Sequence, residues 1–318
     1  MKLSFFFPYH QISGVPVLFS NIINNIIEDK SIEKIYTIDY ENGALNKLCN
    51  DSPKLERRFF YNNKKIIVPQ DSILIMQSLI PYTIRHELVI KKNIKIFFWN
   101  LHPENLIPNY IPISYLNNII KANYKIFKKP IDFIFRSRLR LIRRFIELCI
   151  SKKSLLFMDS TNLYNTIYKI NCSEIHDIDF LPVPVKDINF FSKKKYSKSL
   201  SVSWVGRIEE FKFHILKFIL TEISKYSEKN MLKIKFHLIG DGIRLNEIRN
   251  SRYENKFFKI KFYGNKSYSD LQELLKNKIN FSFAMGTSAM DSAKLGIPTI
   301  LVDYSYKKIR NYKFRWIF

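Results

Sequence analysis

The chain has 318 residues, more than the roughly 250–300 at which single cores stop growing, so two domains are expected. Its 46% apolar and 15% aromatic residues exclude a disordered chain, and its net charge of +24 favours anionic partners: nucleic acid, phosphorylated small molecules or an acidic membrane face. Three widely spaced cysteines, Cys49, Cys149 and Cys172, with no CxxC, exclude a disulfide framework or a cysteine-built zinc site and fit a reducing compartment. The opening MKLSFFFPYHQ carries a short apolar run broken by Pro8, and no run of about 18 uncharged apolar residues occurs anywhere. A cytoplasmic chain without a signal peptide or membrane span is therefore expected.

In chain order, Lys2–Phe7 reads as a strand, and Val15–Asp29 as a helix with apolar residues near helical spacing. Lys34–Ile38, Ser72–Met76, Lys95–Trp99 and Leu155–Met158 are further strands. They are apolar throughout rather than alternating, as parallel strands covered on both faces are. Between residues 121 and 153 stand eleven lysines and arginines against Asp132 and Glu147, a net +9. There Phe135, Leu139, Ile142, Ile146 and Cys149 make one apolar stripe, with Arg136, Arg140, Arg143 and Arg144 on another face. A basic amphipathic helix of this kind reads either as a segment lying on an anionic membrane or as a surface helix packing its stripe inward. Leu181–Val185 and the charged 186–198 read as the hinge and linker, with the first domain over 1–185 and the second over 199–318.

The second half alternates more cleanly. Ser199–Val205, Lys233–Ile239, Lys259–Tyr263, Ile279–Phe283 and Pro298–Val302 are expected strands. Helices are expected over Lys212–Tyr226, Ile243–Asn250, Ser267–Asn277 and Ser288–Leu295. This rhythm specifies an α/β, doubly wound sheet with right-handed crossovers. Only eight glycines occur in the chain, six of them from Gly206 onward, and most of those close an expected strand. Ligands bind at that edge of an open α/β sheet, where bare backbone amides at helix starts favour phosphate. The strict GxGxxG fingerprint is absent: His237-Leu-Ile-Gly-Asp-Gly242 has its first two glycines and continues Ile243-Arg244.

Four segments in order resemble a known family: Trp204-Val-Gly-Arg-Ile-Glu-Glu-Phe-Lys212, His237–Gly242, Phe262-Tyr-Gly264 and Gly286–Thr299. They look like the donor half of nucleotide-sugar-dependent glycosyltransferases with two Rossmann-like domains facing a cleft, the GT-B fold. The likeness is to the retaining group of bacterial surface-polysaccharide synthesis. The resemblance implies a nucleotide diphospho-sugar as substrate, no cofactor and no metal. It implies that Arg207 and Lys212, five positions apart, hold the donor diphosphate. Chemistry agrees, since a guanidinium fork beside a compact ammonium suits a departing diphosphate. It further implies donor contacts from Gly14, Gly206, Gly240, Asp241, Gly242 and Gly264, and ribose contacts from Asp291. Where the family has its first glutamate this chain has Phe283, so Gly286-Thr287-Ser288 is expected to meet the phosphate instead.

The first half matches the family less well: His10 and Gly14 follow its first expected strand, where such enzymes place a glycine-bearing loop, and His102 with Glu104 and Asp159 follow later strands, the two carboxylates as acceptor-side candidates. His102 is expected to touch the transferred sugar or a phosphate oxygen. The expected acceptor is a saccharide or a polyprenyl-diphosphate-linked one, the expected location is the inner face of the plasma membrane, and no nucleic acid is expected. The C-terminal helices that cross back in the family are expected to be missing or shortened, because the sequence stops at Arg315-Trp-Ile-Phe318. Two alternatives stay open: a nucleotide-sugar epimerase of the same fold, and a basic nucleic-acid-binding protein without catalysis.

Overall fold

A computed structural model describes residues 1–80, 86–170, 178–184 and 199–317. The expected linker 186–198 and Cys172 lie outside the described residues. Two compact units emerge, Met1–Asn117 with Tyr124–Pro184, and Asn118–Asn123 with Val185–Phe318.

The first unit opens with β1 (Lys2–Phe6), α1 (Gly14–Ile26), β2 (Lys34–Asp39), α2 (Ala44–Leu48) and β3 (Leu55–Phe59). It continues through β4 (Ile66–Ile67), β5 (Ser72–Gln77), β6 (Leu88–Val89), β7 (Lys95–Asn100) and α3 (Ser114–Ala122), whose residues from Asn118 onward belong to the second unit. After α4 (Tyr124–Ile134) and α5 (Arg136–Ser151), it closes with β8 (Leu155–Phe157), α6 (Ser160–Ile170) and β9 (Asp179–Phe180). Seven strands form a parallel sheet in the order β3-β2-β1-β5-β7-β8-β9, with β4 and β6 pairing separately. Leu3 to Phe6 are all buried, because helices cover both faces of β1.

The second unit contains β10 (Leu200–Val205), α7 (Glu210–Lys229), β11 (Ile234–Ile239), α8 (Leu245–Asn250) and β12 (Phe258–Gly264). Beyond these lie α9 (Tyr268–Lys278), β13 (Phe281–Ala284), α10 (Thr287–Lys294), β14 (Thr299–Leu301) and β15 (Arg315–Ile317). The sheet order is β12-β11-β10-β13-β14-β15, and only β15 runs antiparallel. In both sheets the winding reverses beside the first strand, between β1 and β5 and between β10 and β13, which is the doubly wound pattern. Each reversal carries a buried hydroxyl pair: Ser4 Oγ and Ser72 Oγ lie 2.8 Å apart, and Ser203 Oγ and Ser282 Oγ 2.9 Å. Among the described residues no helix follows α10, and the chain returns instead as the edge strand β15.

The basic stretch departs from the expected single helix, and its stripe takes one of the two orientations left open. It is two helices rather than one, broken at Phe135, whose φ of −101° and ψ of 16° leave the α region. Its apolar stripe faces inward: Leu139, Ile142, Ile146 and Cys149 are 4% exposed or less, and the last three join the first unit's core with Phe98, Leu155 and Phe157. That burial corrects the membrane-facing reading of the stripe. Asp179–Phe180 and Leu55–Phe59 are strands beyond those expected, the latter hidden by its LERRF, which mixes charge into an edge position. Ile146→Ala should lose about 2–5 kcal/mol of stability through the cavity it leaves. Leu141→Ala, half-exposed on the opposite face, should lose less than about 0.5 kcal/mol. Urea unfolding of the two variants measures the difference, and equal losses would refute the assigned face.

Candidate functional site

Val205 and Ala284, the last paired residues of β10 and β13, are register partners. Gly206-Arg207 and Met285-Gly286 therefore leave the sheet side by side at the winding reversal, where open α/β sheets bind ligands. The turn after β10 is held by the turn after β11. Gly206 N–H donates to Ile239 O at 3.0 Å, Ile208 N–H to Asp241 O at 2.9 Å, and Arg244 N–H to Ile208 O at 3.1 Å. A side chain on Gly240 would collide with the Gly206 carbonyl, and one on Gly242 with that of Ile208. These two glycines are thus explained by backbone meeting backbone. Asp241 is exposed, and its carboxylate accepts the Gly242 N–H at 2.8 Å.

Side chains reinforce the junction. Trp204 Nε1–H donates to Gly206 O at 3.1 Å. Arg244 Nη1 donates to both oxygens of Glu210, at 3.1 and 2.9 Å, and Arg244 also pairs with Glu247, tying the start of α7 to that of α8. Neither Glu210 nor Arg244 stood out in the sequence, although the Glu-Glu pair following Arg207 was a signal that the guanidinium would have acidic company. Glu209 lies 3.7 Å from Arg207 Nη1, and Arg207 remains 39% exposed.

Lys212 occupies the first turn of α7 and folds back over Gly206, where its Nζ would stand 3.3 Å from a Cβ built on that glycine. No ion pair or hydrogen bond to Lys212 Nζ is found among the described residues. Burial first, and the Arg207 charge second, push its pKa down from the ordinary 10.5 to about 8, while Glu209 offsets part of this. The structure thus brings together two cations that repel each other at the end of β10. An anion carrying two charges would relieve that repulsion.

Across the winding reversal, Gly286 precedes α10 with φ of +60°, a left-handed conformation that disfavours side chains even though open space surrounds it. The backbone amides of Thr287 and Ser288 open the helix, giving this edge a second positive dipole end. Asp291 is bonded to Lys294 at 2.7 Å, so its charge is balanced within α10. Phe283 is 4% exposed and sits in the second unit's core, so the position where the family carries its first glutamate is buried within the strand here. Gly264 ends β12, one strand beyond β11, and its carbonyl accepts the Gly240 N–H at 2.9 Å.

The first unit's candidates gather at the corresponding edge of its own sheet. His10 and Gly14 follow β1, the former stacked on Tyr40 with ring centroids 4.2 Å apart and the latter exposed at the start of α1. His102 and Glu104 follow β7, and His102 Nδ1 accepts the Glu104 N–H at 3.2 Å. Glu104 is bonded to Lys169 at 3.3 Å, with both side chains 10% exposed. Asp159 follows β8 and accepts the Asn162 N–H at 2.7 Å, as a carboxylate capping α6 does. Among the described residues no group of three or more His, Cys, Asp or Glu side chains is placed to hold a metal ion.

The architecture, two doubly wound sheets in tandem that are parallel but for β15, matches the GT-B fold of solved glycosyltransferase structures. The structure of WaaG, a glycosyltransferase involved in lipopolysaccharide biosynthesis, is similar with a TM-score of 0.54 at 11% identity, over 96% of this chain and 82% of that one. A glycosyltransferase from Rickettsia africae ESF-5 is similar with a TM-score of 0.53 at 12% identity, over 96% of this chain and 80% of its own. TarM aligns over 73% of this chain with a TM-score of 0.45 and 16% identity, and the chain spans only 41% of TarM. No protein-family model and no curated protein matches the sequence.

Two measurements follow from this geometry. Between pH 8 and 10.5 the unfolded chain holds the Lys212 proton and the native chain does not, so this group makes stability rise with pH across that window. Lys212→Met should be the more stable protein below pH 8, with an advantage that shrinks toward pH 10.5; a pH-independent difference in unfolding free energy would contradict the shift. Gly240→Ala should destabilise far more than Gly286→Ala. The latter meets no clash and faces only the strain of its positive φ, of about 1–3 kcal/mol. Thermal unfolding of the pair checks this ranking.

Proposed function

We propose that this chain is a glycosyltransferase that takes its sugar from a nucleotide diphospho-sugar. The observation that carries the reading is the Arg207–Lys212 pair: two cations at the winding reversal of the second sheet, the ammonium without an ionic partner of its own. In the proposed complex the guanidinium forks onto diphosphate oxygens, Lys212 supplies a compact charge, and the amides opening α10 complete the cradle. Charge that develops on the leaving nucleoside diphosphate is neutralised by these groups, and the donor is substrate rather than cofactor. No metal is needed in this scheme. Asp291 stands on α10 for the ribose hydroxyls, with Lys294 setting its orientation.

Transfer with retention of configuration is the stereochemistry we favour. An inverting enzyme needs a general base to deprotonate the acceptor, and Glu104 and Asp159 are the candidate carboxylates on the acceptor side for it. Glu104 is bonded to Lys169, and Asp159 is committed to the α6 amide, so neither is poised as that base. In a retaining reaction the departing phosphate takes the proton itself. The proposed acceptor is a saccharide, free or carried on polyprenyl diphosphate, as in the synthesis of a surface polysaccharide, and His10 and His102 are proposed to contact it or the sugar.

Calorimetric titration with UDP-, GDP- and ADP-hexoses should reveal one binding donor, and Arg207→Ala should then lower turnover about 10²–10³-fold. Near-wild-type turnover in that variant would overturn the assignment. Because an anion restores the Lys212 proton, donor affinity should be highest below pH 8 and decline above it, and Lys212→Met should lose that dependence. Donor consumption that proceeds equally without acceptor would point to epimerisation instead.

A further inference from the structure

The two basic helices of the first unit present a second apolar surface, distinct from the stripe buried in its core. On α4, Tyr124 and Ile131 are buried, while Ile126, Phe133 and Ile134 are 74%, 83% and 68% exposed. With Pro130, itself exposed, they occupy positions i, i+4, i+7 and i+8, one continuous helical face turned to solvent. α5 adds Leu141 and Leu148, 50% and 57% exposed and seven residues apart on the face opposite Ile142 and Ile146. Charge surrounds these residues. Lys125, Lys129, Arg136, Arg138, Arg140 and Arg144 are all exposed, and Glu147 is the one exposed acid of α4 and α5. Asp132 is half-buried, and Arg143 is taken inward, where its Nε donates to Ile170 O at 2.6 Å.

We infer that the outward face of α4 and α5 docks on an anionic lipid bilayer, with Ile126, Phe133 and Ile134 entering the acyl boundary and the surrounding cations resting on the headgroups. The combination selects the occupant. Ile126, Ile134, Leu141 and Leu148 find no matching chemistry on a nucleic acid, where the cations would hold the backbone and Phe133 alone would offer a stacking face while the aliphatic projections stayed in water. At a lipid surface both kinds of group are used: burial of apolar side chains and attraction of cations to anionic headgroups act together. No helix among the described residues is long and apolar enough to cross a membrane, so the contact proposed lies in the interface. This inference concerns a different surface from the donor site and stands apart from the proposed activity.

The test is co-sedimentation of the full chain with vesicles of phosphatidylcholine and phosphatidylglycerol, against vesicles of phosphatidylcholine alone. The chain should sediment with the mixed vesicles and stay in solution with the neutral ones. Arg138→Gln, Arg140→Gln and Arg144→Gln together should weaken binding roughly a hundredfold. Phe133→Ser should weaken it about tenfold or more. All four side chains are exposed, so the fold should tolerate the changes, which thermal unfolding confirms. A Phe133→Trp variant should show blue-shifted emission at this position on mixed vesicles and no shift with RNA, measured as a difference from the wild-type spectrum. Absence of sedimentation, sedimentation without that shift, or a shift with RNA instead would overturn the inference. So would a concentration-dependent dimer that Phe133→Ser dissolves, since a second copy would then be what covers the face.

Discussion

Gly240 lies so close to the carbonyl of Gly206 that no side chain fits between them, and this contact governs the geometry at the edge of the second sheet. Three backbone hydrogen bonds link the turn after β10 to the turn after β11, and the Arg244–Glu210 pair ties the helices that follow. With both turns immobilised, Arg207 and the first turn of α7 have little freedom. Lys212 is then held beside a like charge in a half-buried position, an arrangement that a flexible loop would relax by swinging the ammonium into water. Rigidity supplied by bare backbone is what lets two cations be kept near one another before any ligand arrives.

The same logic separates the glycines into two groups. Gly240 and Gly242 are consequences of close approach and serve the architecture of the site. Gly286 has open space around it and is demanded by a left-handed turn that starts α10. From sequence alone both groups look identical, because each closes a strand. Only the neighbouring chain, which no local pattern encodes, tells them apart.

Much of the second unit was legible because its strands are apolar runs separated by amphipathic helices, and local pattern specifies that rhythm directly. Gly206 and the Gly286–Ser288 turn stand out for the same reason, since they sit one or two residues past a strand at the edge where doubly wound sheets bind ligands, whereas Arg207 is singled out by the resemblance to a glycosyltransferase donor half. The basic stretch was harder. Its periodicity marks an apolar stripe correctly, yet α4 and α5 each have apolar residues on two faces, and periodicity cannot say which of them meets the core. Phe135 breaks the helix through its backbone angles, which nothing in RSRLRL announces. Asp159 and Glu104 illustrate a further limit. Their residue type suits general-base chemistry, and only their partners, the Asn162 amide and Lys169, show how each carboxylate is occupied.

The serine pairs at the two winding reversals bear on how this fold drifts over evolutionary time. The buried hydroxyls pair across neighbouring strands, Ser4 with Ser72 and Ser203 with Ser282, and Ser72 also donates to Pro69 O at 2.7 Å. Loss of Ser203 or Ser282 strands its counterpart in an apolar interior, whereas Ser72 keeps its bond to Pro69 O if Ser4 is lost; joint replacement of the second pair by small apolar residues removes the need altogether. Homologous chains should therefore change the Ser203 and Ser282 positions in tandem, leaving a covariation signature at the centre of the second sheet that owes nothing to the chemistry at its rim, and a weaker one at Ser4 and Ser72.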